Sequence, residues 1–405
     1  MPSASRHILF AGISFILASM LYFLGLVLHL PFIIVPVLVA AALYFIGKWF
    51  YNQQTHSPEK RISWWALGAI AIGLFLMVRR SLPMAEVHGE WDAWAIWNLH
   101  AKYLLYPEHW QQMTRNVENG HPDYPLGLPA FIAFCVRVCN DHFSVLIPFI
   151  ISIAFSLAMP VLIFFNTAKR SFFIALVALY FFGQDLFYLK RGVAQYADTP
   201  LAFFFLCAVA CIYYARENKQ YITLAAFFAA SCMWIKNEGA VLAAIFFLFN
   251  IDVFLKSKNL RSIAVAALIP FLVFAFHKFF YATGNDMVGG QGEKTLSYLS
   301  DKSRYKLIYD FFINNLNLKC FYLKIGILVY LVVTILQRSW PDRQFLMLFA
   351  CLGAYMFFYV VSPNDLEWHL DTSQDRLMHQ LMPAFMLVLA RAFSGTQLPF
   401  SKKTQ

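Results

Sequence analysis

The stretch HGEWDAWAIWNLHAKYLL, His88 to Leu105, sets two carboxylates, Glu90 and Asp92, among three tryptophans in a chain that is otherwise mostly apolar. An acid held against oil loses hydration, which raises its pKa and makes it a better proton acceptor. Asp92 falls in line with Ile96, Leu99 and Tyr103 at helical spacing, at the head of an apolar stripe. The chemistry this predicts is general-base catalysis at the edge of a membrane. A simpler role, capping the helix that follows, would need the same residue type. The tryptophans alone suit any headgroup boundary and decide nothing.

Four further clusters carry ionisable groups. HPDYPLGLP, His121–Pro129, holds three prolines and a glycine in nine residues, which predicts a rigid turn. Asp123 in it is either a second acid of a site or a cap for the next helix, and Tyr124 beside it offers a ring suited to stacking on a sugar. In QYADTP, Asp198 precedes Pro200 at a natural helix start, so capping again competes with a site role. Lys190 and Arg191 just upstream form a cationic pair suited to a lipid phosphate, with Asp185 one turn before them. KNEG places Lys236 and Glu238 between two short apolar runs, where such charges are costly unless paired or lining a wet cavity. The stretch DLEWHLDTSQDRLMHQ carries His369, Asp375, Arg376 and His379. Arg376 opens the last apolar run, where a guanidinium grips a phosphate or merely snorkels.

The elements that must position these groups are membrane helices. The chain is 60% hydrophobic and 13% charged, where a soluble domain carries roughly 25% charged residues. Apolar runs near the length needed to cross about 30 Å of hydrocarbon recur. Spans are expected at 8–30, 31–50, 63–79, 143–167, 171–189, 199–215, 221–235, 240–255, 262–280, 320–337, 344–361 and 378–393. The first is too long for a signal-peptide core and reads as a membrane helix. Leu126–Val138 is too short to span and reads as a re-entrant or interfacial helix. The expected fold is all-α and polytopic, one membrane domain over 1–405 with about 12 transmembrane helices. Large outer loops fall at 80–142, 281–319 and 362–377. The seven cysteines share no zinc-like spacing with histidine and read as buried thiols.

In a soluble protein the net charge of +10 would point to nucleic acid; here it sets topology. With both termini cytoplasmic, one side holds Arg6, Lys48, Lys60, Arg61, Lys169, Arg170, Arg216, Lys219, Lys256, Lys258, Arg261, Arg338, Arg343, Arg391, Lys402 and Lys403. Only four acids join them: Glu59, Glu217, Asp252 and Asp342. Basic short loops face the cytoplasm. All five polar clusters then lie outside, so the chemistry is expected to be extracytoplasmic.

These clusters, in this order and on one face, resemble the GT-C superfamily of membrane glycosyltransferases, in particular bacterial members similar to protein O-mannosyltransferases and aminoarabinose transferases. The resemblance runs through Glu90–Pro129, Tyr196–Pro200, Lys236–Gly239 and Leu366–Pro383, and rests on order and sidedness, since no single motif is specific. It implies a sugar donor on a polyprenyl phosphate, used at the outer face of the cytoplasmic (inner) membrane with inversion at the anomeric carbon. The family's first-loop acid maps onto Asp92. The paired acids of the family are adjacent, whereas here they read Glu90-Trp91-Asp92, so the base is one of the two. Asp123, Tyr124, Lys190, Arg191, Asp198, Lys236, Glu238, His369 and Arg376 are the expected substrate-binding residues. The acceptor is a lipid, a glycan or a protein hydroxyl. No metal-ligand triad is visible, and a divalent cation bridging Asp92 and the phosphate is compatible with these residues. Two other classes live in such membranes. A polymerase or ligase would take a lipid-linked oligosaccharide, and a transporter would place its charges near the midplane within repeated halves, of which none is detected.

Overall fold

The computed structural model describes residues 3–52, 63–114, 121–139, 142–282 and 297–395. The expected cytoplasmic residues Glu59, Lys60, Arg61, Lys402 and Lys403, and the 283–296 part of the outer loop, lie outside the described residues. Everything with regular structure is helical, with no strand among the described residues. In chain order the helices are α1 (Ser3–Val27), α2 (Ile34–Asn52), α3 (Trp64–Ser81), α4 (Asn98–Leu104), α5 (Gly127–Cys139), α6 (Leu146–Ala168), α7 (Phe172–Gln184), α8 (Leu186–Val193) and α9 (Asp198–Tyr214). Then follow α10 (Tyr221–Ile235), α11 (Glu238–Phe249), α12 (Ile251–Leu255), α13 (Leu260–Phe280), α14 (Lys302–Leu318), α15 (Phe321–Leu336), α16 (Arg343–Val361) and α17 (Leu366–Gly395).

Seven described helices are long and apolar enough to cross a membrane, and nine spans result if each of two bent pairs counts as one. The expectation of twelve included α9, α10 and the α11–α12 run, whose helices have 17, 15 and 12 residues before Asn250 interrupts the last. At 1.5 Å per residue, α9 is about 26 Å long, short of a full hydrocarbon core. Yet every residue of α9 is buried. A helix that is apolar all round belongs in the interior, and α9 packs against α6, α10 and α17. Phe203, Phe204 and Phe205 fill this core with Phe155, Phe228 and Phe246.

Three stretches differ from expectation, each for a local reason. The span expected at 171–189 breaks after Gln184 and bends by 67°. Asp185 turns extended there and its carboxylate accepts the Tyr188 N–H at 2.8 Å, which starts α8 afresh. Arg80 of α3 donates to the Gly183 carbonyl and the Gln184 side chain at 2.7 and 2.6 Å, satisfying the broken end. The loop expected at 281–319 contains α14, which meets α15 at 99°. The loop expected at 362–377 is helical from Leu366, capped by Asp365, so Arg376 lies in the third turn of a 30-residue helix rather than at a span's opening. Leu126–Val138 corresponds to the 13-residue α5, packed on α1 and α4.

Helix polarity separates the charged groups into two ends. Asp198 begins α9 and Arg216 lies just beyond its close, about 27 Å away at helical rise. Glu238 begins α11, whereas Asp252 follows it.

Candidate active site

The first loop reaches the bundle through Gly89, whose φ of +76° lies in the left-handed region. A Cβ there would stand 2.5 Å from the Ala93 Cβ and 2.8 Å from the Ala194 carbonyl, so only glycine permits this approach. The Glu90 N–H then donates to the Ala194 carbonyl at 3.2 Å, and the Asp92 N–H to the Tyr196 hydroxyl at 3.3 Å. Both acids therefore hang on the turn between α8 and α9. Residues Ala93–Trp97 wind as one π-helical turn before α4, a distortion frequent at functional sites. The buried residues of this segment are Ala93, Ile96, Trp97, Asn98, His100, Ala101 and Leu104. Of the expected stripe Ile96 is buried and Asp92, Leu99 and Tyr103 are half-buried, while Trp91 and Trp94 face outward in an edge-to-face pair.

The Asp92 carboxylate pairs with the guanidinium of Arg376, which also lies over the Tyr196 ring at 5.5 Å. Glu90 takes Arg191 at 2.7 Å and Lys190 at 3.2 Å. Arg191 continues to Asp375 at 2.8 Å, and Asp375 to Lys319 at 3.3 Å. Two adjacent residues of α17 thus hold both first-loop acids, Arg376 directly and Asp375 through Arg191.

Behind this lies a drier layer. Lys236 bonds Asp198 at 2.9 Å and Glu238 at 3.0 Å, with Lys236 and Asp198 side chains only 4% and 1% exposed. Burial alone would lower the pKa of the Lys236 ammonium, but the two carboxylates outweigh it and hold the group above the ordinary lysine value. Gln380 donates to the same Asp198 oxygen and accepts from the Tyr355 hydroxyl at 2.5 Å. Asp123 takes the Asn237 amide at 2.7 Å and the Lys278 ammonium at 3.5 Å. Tyr124 is stacked between His121 and Trp97, with centroids at 4.8 and 5.3 Å. Burial, aided by the Glu238 charge, raises its phenol pKa against the pull of Lys236 and Arg376.

Glu90, Asp92, Asp123, Tyr124, Lys190, Arg191, Asp198, Lys236, Glu238 and Arg376 therefore meet in one neighbourhood through direct contacts or mutual charge. His369 does not touch the acids: it shares a hydrogen bond with Ser362 at 2.8 Å and packs edge-on against Tyr359. The capping alternatives describe none of Asp92, Asp123 or Asp198, since each carboxylate is directed to a cation or amide of another segment. Six carboxylates (Glu90, Asp92, Asp123, Asp198, Glu238, Asp375) face six cations (Lys190, Arg191, Lys236, Lys278, Lys319, Arg376). Lys278, Lys319 and Gln380 escaped sequence reasoning. Their signal was a polar group at the end of an apolar run, which is also how a snorkelling anchor looks. Among the described residues no group of three or more His, Cys, Asp or Glu side chains is arranged to hold a metal ion.

The arrangement offers a half-buried carboxylate, guanidinium groups beside it, and a paired floor of three carboxylates on two ammonium groups. The chain matches no protein-family model, no curated protein and no solved structure.

Proposed function

We propose that the chain is an inverting membrane glycosyltransferase that moves a sugar from a polyprenyl-phosphate carrier to an acceptor hydroxyl at the outer face of the cytoplasmic membrane. The observation that carries this reading is the Asp92–Arg376 pair: a proton acceptor and a phosphate-binding cation, side by side at the end of a helical bundle. Transfer by displacement needs both, a base on the attacking oxygen and positive charge on the departing phosphate.

In the free protein Arg376 is occupied by Asp92. A donor phosphate offers oxygens that compete for the guanidinium, and its binding releases the carboxylate toward the acceptor. The acceptor oxygen attacks the anomeric carbon, its proton passes to Asp92, and the carbon–oxygen bond to phosphate breaks with its electron pair leaving on the polyprenyl phosphate. Arg376, Arg191 and exposed Lys190 meet the charge that grows there. Glu90, bound to two cations, positions Arg191 and Lys190, and Asp92, held by a single one, is the better placed base. Trp91 and Trp94 present apolar faces at the entrance for a lipid chain or a sugar ring.

The test is mass spectrometry of surface glycans and polyprenyl-phosphate sugars from cells lacking the protein, complemented with wild type or Asp92→Asn. A sugar missing from a surface product, with its lipid-linked donor accumulated and only wild type restoring it, supports the reading. Full complementation by Asp92→Asn at matched expression removes Asp92 as the base, and unchanged surface glycans with no lipid-linked sugar accumulated in cells lacking the protein overturn the reading.

A further inference from the structure

At the end of the bundle opposite the acid–cation cluster, a cavity of about 440 Å³ opens between the ends of α9, α12 and α16. Four cations from three segments converge on it: Arg216 and Lys219 after α9, Lys256 after α12, and Arg343 at the start of α16. Two acids answer them. Asp252 is taken by Arg343 and lies 4.0 Å from Lys256, and Asp342 lies 4.0 Å from Arg216 while accepting the Tyr213 hydroxyl at 2.9 Å. Lys219 is exposed and has no ion-pair partner among the described residues. The wall is polar and built. Asn250 and Gln344, both buried, bond each other through their amides, with the Gln344 Nε2 donating at 2.7 Å.

Topology alone requires basic residues in these loops but not their convergence on one concavity. A net positive hollow with a hydrogen-bonding wall, at the edge of a membrane bundle, has the chemistry of an anion site. The distance from Asp198 to Arg216 along α9 makes it separate from the candidate active site. We propose that this cavity binds the phosphate of a phospholipid headgroup, with Lys219 and Arg216 as its principal contacts and Lys256 and Arg343 completing the positive field. Lys219 needs no rearrangement to engage it, and Arg216, at 4.0 Å from Asp342, gives up little.

The experiment uses the full chain in phosphatidylcholine nanodiscs doped with phosphatidylglycerol, with retained lipids counted by native mass spectrometry. Wild type is compared with Lys219→Gln, with Lys219→Gln/Arg216→Gln, and with Lys169→Gln/Arg170→Gln, which removes two cations at the same end but outside the cavity. The expected result is one tightly retained phosphatidylglycerol, weakened about fivefold for each cavity cation removed and kept in the control. Equal losses in the cavity and control variants would mean diffuse surface charge and overturn the site. A parallel titration with inorganic phosphate in detergent separates the sources: equal binding of the free ion, with phosphatidylglycerol adding nothing, overturns the headgroup. Among the described residues Lys219 makes no ion pair, so a loss of lipid in Lys219→Gln is not a loss of fold.

Discussion

Asp92 and Arg376 stand 284 residues apart in the chain, yet share an ion pair in which the two side chains are 15% and 16% exposed. Pairs at such depth are neither the screened contacts of a protein surface nor the locked pairs of a core, and either partner can be reached by a ligand.

Replacing Asp92 with Asn keeps the shape and removes the proton acceptor. Transfer should fall by about 10²–10⁴-fold, the usual contribution of a positioned base. The melting temperature in detergent should stay within a few degrees, because the carboxylate neither caps a helix nor fills the core. Activity retained within a factor of a few would assign the base to Glu90.

Arg376→Ala should act chiefly on the donor. The concentration of polyprenyl-phosphate sugar needed for half-maximal rate should rise at least tenfold, with Arg376→Lys intermediate because it keeps the charge but loses the fork. Unchanged donor dependence would remove Arg376 from the phosphate.

Lys236 and Lys190 both pair with acids but should behave oppositely. Lys236→Met leaves Asp198 buried without its cation and should destabilise by about 3–5 kcal/mol. Lys190, 54% exposed, should change stability by less than about 1 kcal/mol when replaced by Met. Thermal unfolding of the two variants in one detergent makes the comparison. Similar melting temperatures would contradict the drier layer.

Gly89→Ala tests the loop's entry. A left-handed φ costs a non-glycine residue about 1–2 kcal/mol, and the added Cβ also meets Ala93 and the Ala194 carbonyl. The substitution should displace Glu90 and Asp92 together and cut transfer severely in a protein that still folds. A variant with full activity would show the approach is not required.

The Tyr124 phenol has its pKa raised in the folded state, by burial first and the Glu238 charge second. The folded protein then holds this proton more strongly than the unfolded chain. Its contribution is constant below the unfolded value near 10 and stability falls as pH rises above it, by up to about 1.4 kcal/mol per pH unit. Tyr124→Phe should therefore lessen the loss of melting temperature between pH 9 and 11. Identical slopes for wild type and variant would place the phenol in water.

What could be read from the sequence follows from contrast. Ionisable residues are conspicuous in an apolar chain, so Asp92, Arg191, Asp198, Lys236 and Arg376 announced themselves, and so did the all-helical character with helices long and apolar enough to cross a membrane. Their pairing did not, because nothing in local spacing tells that Asp92 meets Arg376 or that Asp375 reaches Arg191. The break at Asp185 was hidden by the apolar residues around it, whose hydropathy continues while the backbone turns. Arg376 was placed at a helix opening because Asp371–Asp375 is polar. In the fold these residues wind round a long helix: Asp371 and Thr372 are exposed, and Asp375 turns toward Arg191 and Lys319. His369 shared the type of a site residue but not the company, and composition does not separate the two.

Helix α17 runs from Leu366 to Gly395 as one element, about 45 Å at helical rise, with Pro383 removing a single bond from the ladder without breaking it. Near one end it carries Arg376 on Asp92. Near the other it carries Arg391, bonded to Asn166 and resting 4.4 Å over the ring of Tyr213, whose hydroxyl is held by Asp342 in the basic cavity. A rod of this kind works as a push-rod: it transmits axial displacement where a hinged pair such as α7 and α8 would absorb it. An axial displacement of Arg376 would be carried along the rod to Arg391 and the ring of Tyr213.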